Sequence, residues 1–176
     1  MFDLNQFAKE VHENAVAHGF WEGEKYVSEV MSLIHSEWSE ALEEYRAGRE
    51  AVYEGEGGKP EGWAIELIDG CIRILDYIGH VSPCDEPYSI TDATGDINDW
   101  FRGRSVPDAI HRLHLLTAHA CSFDDHSEMF VNLDQIYLVL KAALAYVEGS
   151  GLDPEALLRK KHDYNKTRPY RHGKKF

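Results

Sequence analysis

The chain has 176 residues, a mass of 20.1 kDa and a formal net charge of −13 at pH 7. Apolar residues make up 43% of it, as in ordinary globular proteins, and no apolar run is long enough to predict a membrane span. Because the three cysteines are widely spaced and the first residues do not resemble an export signal, we expect one reduced, cytoplasmic domain without a membrane partner.

Helical periodicity runs through most of the sequence, and alternating strand patterns are absent. Pro60 and Pro107 are each placed to open a helix. Glycine and proline make residues 81–104 irregular, apart from a short helix at about 97–101. The patterns therefore predict an all-α bundle of about five to six helices. The longer predicted helices are at about 3–18, 24–47, 60–79, 107–122, 128–148 and 153–164.

Two pairs of acids lie on two successive predicted helices: Glu37 and Glu40, then Glu66 and Asp69. A spacing of three places both carboxylates of a pair on one helix face. The second of these helices is apolar nearly all round, which is typical of a buried helix, and a bare buried carboxylate is costly. Hard oxygen ligands converging from two helices favour Mg²⁺, with Mn²⁺ as the other choice. We therefore predict an acidic metal site between two core helices.

A structural explanation of the same acids needs no metal. Arg73 lies on the same stripe as Asp69 and Asp76, and it could neutralise both in buried ion pairs. One arginine cannot also serve the facing glutamates, and this favours the metal site.

The basic residues are concentrated at the end of the chain. Residues 159–176 hold eight of the 18 lysines and arginines, so the first 158 residues carry ten basic and 30 acidic side chains. Such a body repels nucleic acid, and we expect no nucleic-acid partner. Lys161, Asn165 and Arg168 fall on one helix face, which suits phosphate oxygens and a nucleoside. The alternative is a solvated basic tail.

Taken in order, four motifs resemble MazG-like nucleotide pyrophosphohydrolases of the all-α NTP pyrophosphatase superfamily, which also contains dimeric dUTPases. They are the Glu-x-x-Glu helix, the Gly-Gly-Lys-Pro-Glu-Gly loop at 57–62, the Glu-x-x-Asp helix and the Lys-x-x-x-Asn-x-x-Arg tail. The resemblance covers about residues 2–80 and 152–175. Residues 81–150 form an insertion that compact members of the family lack.

The resemblance implies one domain over residues 1–176 that hydrolyses nucleoside triphosphates between the α and β phosphates. The products would be a monophosphate and pyrophosphate, as in the removal of non-canonical or excess nucleotides. The implied catalytic residues and metal ligands are Glu37, Glu40, Glu66 and Asp69, and the implied substrate-binding residues are Lys59, Lys161, Asn165 and Arg168.

Residues 106–149 contain two predicted amphipathic helices, which we expect to pack on the acidic helices and complete the bundle. The insertion could also reshape the base pocket or replace a subunit interface, and a homodimer stays among the alternatives.

Other functions are also compatible with the sequence. The chain could be a non-catalytic helical module that binds a divalent cation or a protein partner. His111, His114 and His119 on one predicted helix suggest a different metal site, but the di-iron bundles need two Glu-x-x-His motifs and this chain has none. The adjacent His162 and Asp163 resemble a phosphohydrolase pair without the helices that would precede it.

Overall fold

The structure is a computed structural model that describes residues 2–23, 26–81, 97–123 and 128–173. Over these residues the chain is mostly helical, and the predicted all-α bundle is confirmed. Cys84 and most of the irregular segment 81–104 lie outside the described residues. The helices are α1 (Leu4–Ala17), α2 (Val27–Arg46), α3 (Trp63–Val81), α4 (Asn98–Phe101), α5 (Val106–His119), α6 (Leu133–Gly149) and α7 (Pro154–Lys166).

Side chains at the helix starts explain several of these boundaries. Asp3 accepts hydrogen bonds from two backbone N–H groups at the start of α1. Asn132 and Asp153 do the same with one N–H each at the starts of α6 and α7. These caps satisfy donors that have no partner within the helix.

Two short antiparallel hairpins were not foreseen. The strands β1 (Tyr53–Glu54) and β2 (Pro60–Glu61) pair, as do β3 (Cys121–Phe123) and β4 (Met129–Val131). The prediction that Pro60 opens a helix is therefore wrong, since Pro60 lies in β2 and α3 begins at Trp63. Strands of two or three residues are too short to show an alternating pattern.

Close packing of α2 on α3 brings the acidic pairs together. The indole of Trp38 lies against Gly70, where an added Cβ would be 2.2 Å from Trp38 Cζ3. Only a glycine allows this approach. Trp38 Nε1 donates a hydrogen bond to Thr117 Oγ1 at 3.0 Å, which ties α2 to α5. Trp38 is fully buried, so its neighbour Glu37 is held at the same interface.

The helices of the insertion pack as predicted. α5 contacts α2, and α6 contacts α3 and α5. Leu113, Ile136 and Leu140 are fully buried in the resulting core. Among the described residues, no helix combines the length and apolar character needed to cross a membrane.

Candidate functional site

One pocket of about 190 Å³ is lined by all eight residues that the sequence singled out. They come from α2, α3, α7 with the residues after it, and the loop between β1 and β2. The structure therefore brings together motifs that are up to 131 positions apart in the chain, between Glu37 and Arg168. The eight are Glu37, Glu40, Lys59, Glu66, Asp69, Lys161, Asn165 and Arg168.

Three of the four predicted metal ligands form a tight cluster. Glu37, Glu40 and Glu66 each offer one carboxylate oxygen, and these three atoms lie within 4.8 Å of one another. Glu37 and Glu66 are buried, with 5% and 7% of their surfaces exposed, whereas Glu40 is exposed. The cluster thus opens to the pocket on the Glu40 side.

Burial makes two of these acids weak. It raises the pKa of Glu66 to about 8, with a further contribution from the negative charge of Asp69. Burial also raises the pKa of Glu37 to about 7, although the positive charge of Arg73 opposes the shift. Without a cation beside it, Glu66 holds a proton at neutral pH, because desolvation and the repulsion of neighbouring carboxylates disfavour its charged form.

Asp69, the fourth predicted metal ligand, lines the same pocket but forms an ion pair with a lysine. Its Oδ2 lies 2.7 Å from Nζ of Lys161, and the same ammonium group donates to the carbonyl oxygen of Pro60 at 3.3 Å. Lys161 is only 1% exposed. Lys161 therefore serves as the buried counter-ion of Asp69.

Arg73 contacts Glu37 rather than the acids that the structural explanation assigned to it. The distance between Arg73 Nε and Glu37 Oε1 is 2.5 Å. Asp76 instead accepts hydrogen bonds from Trp21 Nε1 and His12 Nδ1, each at 2.8 Å. The sequence could not indicate these partners, because they lie on α1 and on the turn that follows it.

Two carboxylates of the pocket remain without a cationic partner in the described chain once these ion pairs are formed. With Glu37 bound to Arg73 and Asp69 to Lys161, neither Glu40 nor Glu66 forms an ion pair with any described residue. Their two negative charges match one divalent cation, and three oxygen ligands suit Mg²⁺ or Mn²⁺, which also retain water ligands. The residues present therefore fit such an ion, although they do not distinguish between the two.

Two of the four predicted substrate-binding residues have polar groups available for a ligand. The guanidinium of Arg168 makes no hydrogen bond or ion pair with the described part of the chain. Asn165 is 7% exposed, and its Oδ1 has no hydrogen-bond partner there. Lys59, by contrast, pairs with Glu61 at 3.0 Å.

His162 is a pocket residue whose role the sequence did not reveal. It is 2% exposed, and neither ring nitrogen has a hydrogen-bond partner among the described residues. Burial lowers its pKa, so the ring is neutral near pH 7. Asp163 is exposed and pairs with Lys166 at 2.9 Å, so the adjacent His-Asp residues do not act together.

His114 on α5 contacts a histidine of α2 and is not part of a metal-ligand group in the described chain. Nδ1 of His114 lies 2.8 Å from Nδ1 of His35 on α2, which makes a hydrogen bond between the two helices. In the described parts of the chain, the only group of three or more potential metal ligands is the glutamate cluster.

Aromatic and apolar side chains line the rest of the pocket. Trp21 is fixed by its hydrogen bond to Asp76 and by stacking on His80, with ring centroids 3.9 Å apart. Asp76, the partner of Trp21, lies on α3 three residues beyond Arg73, which contacts Glu37 of the acidic cluster. In the sequence, the only sign of this aromatic lining is that Phe20 and Trp21 are adjacent in a turn between Gly19 and Gly23. The other pocket residues of this kind include Phe20, Val30 and Leu33.

No family model, curated protein or solved structure matches the chain.

Proposed function

We propose that the protein is a Mg²⁺-dependent nucleoside triphosphate pyrophosphohydrolase that cleaves between the α and β phosphates. One observation carries the proposal. A carboxylate cluster that fits a divalent cation and an arginine whose side chain has no partner within the described chain line the same pocket. Triphosphates require both, because the acidic body repels them unless bound metal and fixed cations offset the charge.

Glu37, Glu40 and Glu66 would hold the ion, and bound Mg²⁺ would supply a Lewis acid for the phosphate oxygens and for the attacking water. Arg168 would bind phosphate oxygens through its guanidinium. Asn165 would offer its unsatisfied amide oxygen to a donor on the substrate, such as a sugar hydroxyl.

The pocket also suits the remainder of a nucleotide. Its lining combines the charged residues of the cluster with the aromatic rings of Phe20 and Trp21, which suits a ligand with a charged part and a flat, apolar part. Trp21 offers a fixed ring to a base, and base–aromatic stacking tolerates any base. Removal of non-canonical or excess nucleotides is the corresponding role.

A second function is supported by the ion pairs. Lys161 and Arg73 neutralise Asp69 and Glu37 without any metal, as expected for a non-catalytic helical module that binds a cation or a partner. The two functions differ in one outcome, because only the enzyme releases pyrophosphate.

A panel of nucleoside triphosphates, assayed for pyrophosphate with Mg²⁺ and with EDTA, tests the proposal. Wild type should release pyrophosphate only with Mg²⁺, and Glu40→Gln should remove most of the activity. Glu43→Gln is the matched control, since Glu43 is an exposed acid on α2 outside the pocket. Diphosphate and orthophosphate as products would contradict the proposed bond cleavage, and binding of Mg²⁺ without turnover would support the non-catalytic module.

A further inference from the structure

The last described segment of the chain folds back onto the turn between α1 and α2. We call residues 168–171 the strap and residues 18–22 the turn. The backbone N–H of Arg171 donates to the carbonyl oxygen of His18 at 2.9 Å, and its Nε donates to that of Gly19 at 3.1 Å. His18 Nε2 also lies 3.0 Å from the carbonyl oxygen of Arg168. The strap is thus joined to the turn at both of its ends.

The middle of the strap depends on the absence of a side chain at Gly19. The ring of Tyr170 lies so close that an added Cβ at Gly19 would be 2.1 Å from Tyr170 Cε2. Gly19 also has a positive φ of 78°, which side chains disfavour. The hydroxyl of Tyr170 donates a hydrogen bond to Glu22. The strap can therefore pack on the turn only because residue 19 is a glycine.

The backbone of the strap is itself unusual. Arg171 is the only non-glycine residue with positive φ among the described residues, at 46°. This left-handed conformation costs conformational energy and persists only where the surroundings impose it. Here it turns the chain so that both the N–H and the side chain of Arg171 reach the turn.

Both partners of this contact border the candidate site. Arg168 and Arg171 from the strap line the pocket, as do Phe20 and Trp21 from the turn. The strap therefore fixes the backbone from which the side chain of Arg168 extends along the pocket.

We propose that the contact between strap and turn positions Arg168 for the phosphate groups of the substrate, with Gly19, Tyr170 and Arg171 as positioning residues. The inference rests on the proposed function for the identity of the ligand. Anchoring the backbone of Arg168 strengthens binding, because less conformational entropy is then lost when its guanidinium contacts the ligand. Tyr170 and Glu22 are largely exposed, so the strap can detach without unfolding the core.

Two glycine substitutions provide a matched test. Gly19→Ala places a methyl group where the Tyr170 ring lies, whereas Gly23→Ala has a similar φ of 82° and nothing within 4 Å of the new Cβ. Both place a side chain at a similar positive φ, but only the first requires the Tyr170 ring of the strap to move. By calorimetry, Gly19→Ala should weaken binding of Mg²⁺–tripolyphosphate about tenfold, as expected when a charge-assisted hydrogen bond is impaired. Gly23→Ala should bind as wild type does.

Further measurements separate positioning from a structural effect. The amide of Arg171 should lose protection from hydrogen exchange in Gly19→Ala alone, while the affinity for Mg²⁺ without polyphosphate stays unchanged. If the strap acts through Arg168, then Gly19→Ala combined with Arg168→Ala should bind no more weakly than Arg168→Ala.

Three outcomes would show that the strap does not position Arg168. Equal weakening by Gly19→Ala and Gly23→Ala, a further tenfold loss in the double variant, or no tripolyphosphate binding by wild type would overturn the inference. If the binding pattern holds while wild type hydrolyses no nucleotide, the strap inference stands and the proposed function fails.

Discussion

Replacing Glu66 with glutamine should stabilise the metal-free protein at alkaline pH. Burial and the charge of Asp69 raise the pKa of Glu66 to about 8, from an ordinary value of 4.5. Between these values the folded state holds a proton that the unfolded chain has lost. The contribution of Glu66 to stability is therefore fully present below pH 4.5 and is lost as the pH rises through about 8.

The size of the effect follows from the two pKa values. At full ionisation, the difference between about 8 and 4.5 corresponds to roughly 4–5 kcal/mol in the free energy of unfolding. Glu66→Gln keeps the size of the side chain and removes the titration. In EDTA at pH 8.5 the variant should thus be more stable than wild type by a few kcal/mol, on the order set by this pKa difference, while the two should differ little near pH 5.

Urea unfolding at both pH values, with EDTA and with Mg²⁺, measures these differences. Above its Kd, Mg²⁺ should stabilise wild type by an amount that grows with the logarithm of its concentration, and it should stabilise Glu66→Gln much less. Glu43→Gln, outside the pocket, is the control and should follow wild type. A Glu66→Gln variant that is less stable than wild type at pH 8.5 in EDTA would refute the reasoning, because it would show that the ionised side chain stabilises the fold.

Three further predictions concern other contacts. Asp69→Asn leaves the buried ammonium of Lys161 without its counter-ion and should destabilise the fold by about 3–5 kcal/mol; an unchanged urea midpoint would contradict this pairing. Arg168→Ala should raise KM at least about tenfold with Mg²⁺ affinity unchanged in calorimetry, and an unaltered KM would remove Arg168 from the site. Burial lowers the pKa values of His35 and His114 below 6.5, so stability should fall as the pH drops below 6.5. His114→Asn should flatten that fall, and an identical pH profile in thermal unfolding would argue against it.

The parts of the fold that follow a long periodic pattern could be predicted from sequence. The helix of Glu37 and the helix of Glu66 both extend over five turns or so, long enough for their apolar faces to be recognised. Pro60 was misplaced because its local preference suits a helix start and a short strand alike, and the pairing of β1 with β2 decides between them.

The sequence indicated which residues line the candidate site, but it did not indicate which of them pair with one another. The spacing of the acids and of the basic tail indicated which side chains share a helix face, and one pocket contains them all. Spacing cannot show which cation reaches which acid across two helices, and the contact of Lys161 with Asp69 was therefore missed. Trp21 was missed for a similar reason, since its partners Asp76 and His80 lie on another helix.

The most direct test of the central claim is to follow the phosphorus nuclear magnetic resonance spectrum of nucleoside triphosphates incubated with wild type and Mg²⁺. The account predicts that at least one triphosphate disappears while a monophosphate and pyrophosphate appear in equal amounts, and that EDTA prevents the reaction. A full panel of triphosphates left intact at saturating Mg²⁺ would contradict it.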